Sequence, residues 1–186
     1  MLAVTRENAA VLFLDLQEEI VKSSRTLSLR RLERGAGALA RLAALHGLPY
    51  WLSAVPPGGE FLSAVLDPLG QPVARLRTHT TAFADAELVG QMLRSGRQVL
   101  ILSGVASEIV VQRTALDALA SGFAVHVAVD ACGGVNLRTE EAAWRRIGAA
   151  GGVTTSVTAF AAELAGDFTT ALGSETLDIL YSTIDA

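Results

Sequence analysis

Ala9-Ala10-Val11-Leu12-Phe13-Leu14-Asp15 is an unbroken apolar run that ends on a carboxylate. A strand with one face in water would alternate apolar and polar residues, and this one does not. Both of its faces must therefore be covered, as in a central strand of a parallel sheet. Downstream, Leu29, Leu32, Ala36, Leu39, Leu42 and Ala43 recur at helical spacing, with Arg30, Arg31, Arg34 and Arg41 largely elsewhere. That predicts a helix over residues 29–45, closed by His46-Gly47, with Tyr50-Trp51-Leu52 as a second strand.

The alternation continues. Pro56-Pro57-Gly58-Gly59 must turn the chain. A short helix is expected over 60–66, a weaker strand over 73–76 and a helix over 85–95. Gln98-Val99-Leu100-Ile101-Leu102-Ser103 is the clearest strand after the first, with Gly104 directly behind it. A helix follows from Ser107-Glu108 to Gly122, then a strand over 123–129 ended by Asp130. Residues 140–150 read as a helix, 153–155 as a short strand and 159–164 as a last helical segment. Six strands separated by helices imply a three-layer α/β/α domain with a central, mostly parallel six-stranded sheet and right-handed crossovers. The whole chain, residues 1–186, reads as one domain. Residues 165–186 form an apolar C-terminal extension packed either on that domain or on a partner subunit.

Composition narrows the function. Hydrophobic residues make up 51% of the chain and charged residues 18%, below the usual quarter, which predicts a homo-oligomer with surface hidden between subunits. The formal charge is -4 with no basic run, so nucleic acid is not an expected partner. No apolar stretch reaches the length of a membrane span, and the first apolar run is too short for a signal peptide with its flanks. No membrane partner is expected, and a reducing cytoplasm is the default location. The single cysteine, Cys132, excludes an internal disulfide and a cysteine-rich metal site. No His or carboxylate set has ligand spacing, and the glycines form no dinucleotide or phosphate fingerprint. Neither metal nor cofactor is expected; the expected partner is a small molecule.

Ligands in open α/β sheets bind beyond the carboxyl ends of the strands. Asp15, Ser103 with Gly104, and Asp130 are therefore expected on one rim. Asp15 is either a partly desolvated general acid or base or the cap of the following helix. Arg77 either holds an anionic group or pairs with Asp15; its guanidinium is a poor proton donor. His79 is either a proton shuttle or a solvent-facing loop residue. The Gly104 to Val110 junction can present backbone N–H groups to developing negative charge. Ser107 there is a helix cap or a nucleophile without an evident base. Cys132 is a thiol nucleophile or a small buried hydrophobe.

These residues, in this order, resemble the isochorismatase-like family of cysteine hydrolases, and within it the YcaC-like group of probable hydrolases. The anchors are Leu12-Phe13-Leu14-Asp15-Leu16-Gln17, Thr81-Ala82-Phe83, Gly104-Val105-Ala106-Ser107-Glu108, Asp130-Ala131 and Ala142-Ala143-Trp144-Arg145-Arg146-Ile147. The resemblance covers roughly residues 8–168. It implies an aspartate, a lysine and a nucleophilic cysteine, at positions that here hold Asp15, Arg77 and Val110. It also implies a cis peptide at Val105-Ala106. Valine has no nucleophilic atom, which argues against thioester chemistry. The metal-binding pattern of nicotinamidase-like members is absent around Trp51 to Gly59.

Three functions follow. The first is an enzyme without a covalent intermediate, acting on a small carboxylate- or carbonyl-bearing molecule by acid/base chemistry. Asp15 and Arg77 would be catalytic, and Gln17, His79, Phe83, Val105, Ala106, Ser107 and Val110 would contact substrate. The second is an inactive family member that binds a small molecule or a protein, with Asp15 and Arg77 as a static ion pair. The third is a structural role in an oligomer. An open pocket with unpaired Asp15 favours the first; a pocket filled by side chains favours the others.

Overall fold

The computed structural model describes residues 3–184. The opening run becomes strand β1 (Ala9–Leu14), buried along its whole length. The six strands are all parallel, in the order β3-β2-β1-β4-β5-β6. The others are β2 (Tyr50–Ala54), β3 (Arg75–Leu76), β4 (Val99–Val105), β5 (Ala124–Gly133) and β6 (Val153–Thr155).

The continuous apolar character of β1 has a direct cause. Val11 and Phe13 join one core, with Leu32, Leu39 and Phe160, while Ala10, Leu12 and Leu14 join the other, with Leu88, Met92 and Ile147. Successive side chains of a strand point to opposite faces, and each face here meets a layer of helices.

Those helices are α1 (Glu18–Val21), α2 (Leu29–His46), α3 (Ser63–Leu66), α4 (Ala86–Arg94), α5 (Gln112–Ala120), α6 (Leu137–Ala149), α7 (Val157–Ala165) and α8 (Ala171–Ile184). Several starts are capped by side chains. Ser28 accepts from Arg31 N, Asp85 from Glu87 N and Leu88 N, Asn136 from Arg138 N, and Ser156 from Ala159 N.

Three expectations change. The fifth strand does not end at Asp130 but runs to Gly133. A bulge absorbs the extra length: Leu102 pairs with Val127 and Gly104 with Cys132, so Ser103 alone faces the four residues 128–131. The helix expected from Ser107 begins as a wide turn over Ser107–Val111, with Val111 N donating back to Ala106 O, before α5 proper. The helix expected over 60–66 shortens to α3, because Phe61 instead bridges to Gln17.

The described part of the C-terminal segment lies on its own chain. Helix α8 packs along α2 and α7, with Ile179 and Leu180 buried. Thr176 Oγ1 donates to Leu172 O and stands 2.8 Å from His46 Nε2, while Arg41 Nη2 donates to Ser182 Oγ at 2.6 Å. Residues 185 and 186 lie outside the described residues.

Helix α2 sits so close to the sheet that a methyl group on Gly35 would drive into the carbonyl oxygen of Asp130. Gly148, in α6, has open space beside it. The same substitution should therefore act with opposite signs. Gly35→Ala is expected to destabilise the protein by about 1–3 kcal/mol, and Gly148→Ala to stabilise it by about 0.5–1 kcal/mol. Urea unfolding of the two variants checks both.

Candidate active site

The chain order turns back between β1 and β4: β2 and β3 lie on one side of β1, and β4 to β6 on the other. A crevice is expected at the carboxyl ends of strands flanking such a reversal. Asp15 follows β1 there, with φ of 54°. Aspartate is one of the few non-glycine residues that tolerates this left-handed conformation. Its N–H donates to Ser53 O at 2.9 Å, tying it to β2.

Arg77 arrives from β3, its own N–H donating to Ala54 O at 2.9 Å. Its guanidinium grips the aspartate with a fork: Nη1 donates to Asp15 Oδ1 and Nη2 to Asp15 Oδ2, both at 2.6 Å. Nη1 also donates to Ser53 Oγ at 3.0 Å and Nε to His79 O at 2.9 Å. Both residues are buried, Asp15 at 6% exposure and Arg77 at 5%. Burial pushes the Asp15 carboxyl above the usual carboxylate range, and the Arg77 guanidinium offsets only part of that shift. With an N–H on each oxygen, the geometry is that of a bidentate pair with an ionised carboxylate.

Beside this pair opens a cavity of about 560 Å³. Among the expected residues, Asp15, Arg77, His79, Val105, Ala106 and Val110 line it. The Val105-Ala106 peptide bond is cis. Ile20, Ser23, Val55 and Pro56 complete one wall, Ile109 and Val135 another, and Thr78 and Thr80 flank His79.

Gln17, Phe83 and Ser107 were expected in the site and are not in its wall. The Gln17 amide braces the turn that follows β2, donating to Val55 O and Gly59 O and accepting from Val55 N. Phe83 stands edge-on to Phe123, with centroids 6.1 Å apart, in the core on the other face of the sheet from Phe13. Ser107 does not cap a helix: its hydroxyl is fully buried and donates to Glu140 Oε1 at 2.6 Å.

The remaining expected rim residues are also spent elsewhere. Ser103 Oγ donates to Ala131 O at 2.6 Å, and Asp130 Oδ1 accepts from Val157 N at the start of α7. Cys132 is buried within β5, and desolvation pushes its thiol far up. Of the residues overlooked, Ser53 was the most accessible. Extending the second strand by two residues and pairing it in parallel puts Ser53 beside Leu14, next to the aspartate.

An isochorismatase domain model matches residues 9–159, most of the chain. This chain belongs to the isochorismatase family. Its relatives there are of the YcaC kind. It is 29% identical over 150 residues to the probable hydrolase YcaC of Escherichia coli, covering 78% of this chain and 72% of that protein. The structure of the Escherichia coli protein, described as an octameric hydrolase of unknown specificity, superposes with a TM-score of 0.90. That match has 27% identity over 98% of this chain and 91% of the other. YcaC from Pseudomonas aeruginosa, solved with hexane-2,5-diol and covalent acrylamide, also gives 0.90, at 28% identity over 97% and 91% of the two chains.

The fork makes its two members interdependent. Arg77→Leu would leave a buried carboxylate without its partner and should cost about 3–5 kcal/mol in urea unfolding. Asp15→Ala should cost more than Asp15→Asn by about 1–2 kcal/mol, because asparagine tolerates the left-handed backbone and alanine does not. Cys132 should be inert to an aromatic disulfide reagent in the native protein and react fully only after denaturation, as followed by absorbance.

Proposed function

We propose that this family member binds a small carbonyl- or carboxyl-bearing molecule in the cavity beside Asp15 and Arg77, without forming a covalent intermediate. The observation that carries this reading is the wall itself. Val110 occupies the position at which the family resemblance implies a cysteine, and it offers no nucleophilic atom. Cys132 is no substitute, since it lines no part of the cavity and its thiol is held protonated by burial. Both Asp15 oxygens are engaged by Arg77, which suits a fixed polar end of a binding site better than a group that must exchange protons.

The cavity volume fits a small organic ligand. The small diol and amide in the Pseudomonas aeruginosa YcaC structure suggest the size and polarity to try first. A homo-oligomer is part of the same reading. It is supported by the octameric Escherichia coli relative, by the low charge content and by exposed apolar side chains away from the cavity at Val73 (93%) and Phe168 (62%). The reducing cytoplasm remains the proposed location.

A second reading keeps Asp15 as a general acid or base. It is favoured by the open cavity reaching the carboxyl and by the upward push of burial on its proton affinity. A ligand-observed NMR screen of small amides, ketones, alcohols and carboxylates distinguishes the two. The binding reading predicts hits that remain chemically unchanged on long incubation and are lost in Ile109→Trp, which plugs the mouth from a half-exposed position. Conversion of a hit into product, abolished by Asp15→Asn, would overturn it in favour of the second reading.

A further inference from the structure

We infer that the cavity selects an electrically neutral carbonyl ligand, such as an amide or ketone with an apolar body, over the carboxylate of the same skeleton. The inference rests on the binding reading above and narrows its ligand class. Among the described lining residues, Arg77 is the only arginine or lysine. Its charge is already matched, oxygen for nitrogen, by Asp15 at 2.6 Å. A carboxylate entering the cavity would meet a neutral pair rather than a free cation.

The neighbouring chain start offers no replacement charge. A helix N-terminus favours anions, but the turn after Ala106 carries its own acid, Glu108, in its first turn. The Glu108 carboxylate reaches the far side of the mouth, accepting from Val135 N at 3.1 Å and from Thr139 Oγ1 at 2.6 Å. Glu140 lies directly behind, accepting from Ser107. Neither acid supplies a cation to the cavity.

What remains is hydrogen-bonding capacity without net charge. A guanidinium has five N–H donors. Four are used, one by Nε, two by Nη1 and one by Nη2, which leaves one on Nη2. The hydroxyls of Ser23, Thr78 and Thr80 also line the cavity. The rest of the wall is largely aliphatic, from Ile20, Val55, Val105, Ile109 and Val110. Desolvating a carboxylate against such a surface costs far more than desolvating an amide, unless a cation compensates.

The test compares hexanamide with hexanoate, and benzamide with benzoate, by NMR titration at about pH 8, where an ordinary imidazole is uncharged. Three proteins are titrated: the wild type, Asp15→Asn, which frees the Arg77 charge, and Ile109→Arg, which adds a cation at the half-exposed mouth and does not depend on the buried pair. The wild type should bind the amides at least about tenfold more tightly than the carboxylates, a difference of about 1.4 kcal/mol. The preference should shrink or reverse in both variants that remain folded. Wild-type binding of the carboxylates as tight as that of the amides would overturn the inference and leave the binding reading intact. A preference unmoved by either added charge would also overturn it. Failure of all four compounds to bind the wild type would overturn both.

Discussion

The fork between Asp15 and Arg77 holds the candidate site together. It joins the ends of three neighbouring strands: Asp15 from β1, Ser53 from β2 and Arg77 from β3. A buried pair of this kind is stabilising only when its geometry is good and its remaining donors are satisfied. Here both carboxylate oxygens are bonded, and the guanidinium also reaches Ser53 Oγ and His79 O. The contact with His79 fixes the start of the loop that carries Thr78 and Thr80 along the cavity. Loss of the fork would therefore loosen one wall of the cavity as well as the strand ends.

The same interaction sets the chemistry. In the family mechanism implied by the sequence, an aspartate and a cation serve a thiol. In the binding reading proposed above, an acid and a cation stay in contact while Val110 takes the place of the thiol. On that reading the pair serves no thiol, and its closed bidentate contact is the resting arrangement of a binding site. The fold alone does not decide between enzyme and binder, since related folds host many activities. The ligand and its fate beside Asp15 and Arg77 distinguish the two.

The architecture was largely legible in the sequence, because it depends on patterns that repeat along the chain. The unbroken run of β1 and that of β4 reported burial on both faces, and the helical spacing over α2 gave that helix to within a residue. Asp15 was also legible, as a polar group at a strand end, and Arg77 as a cation able to pair with it. Gln17, Phe83 and Ser107 were misplaced because a residue's neighbourhood in sequence does not give the direction of its side chain. Phe83 turns into the core against Phe123, and Ser107 turns inward to a glutamate 33 residues away. The extension of β5 past Asp130 depends on a bulge against β4, a non-local register that no local pattern reports. Ser53 was missed for a simpler reason: the second strand was read two residues short.

The most direct measurement is the protonation state of Asp15, read by carbon-13 NMR of its carboxyl group at neutral pH, with and without a saturating neutral ligand. A carboxylate locked to Arg77 in a binding site predicts a resonance at the ionised position that stays there when ligand binds. A protonated carboxyl at neutral pH, or one that takes up a proton when the ligand enters, would contradict that account and return Asp15 to the role of a general acid.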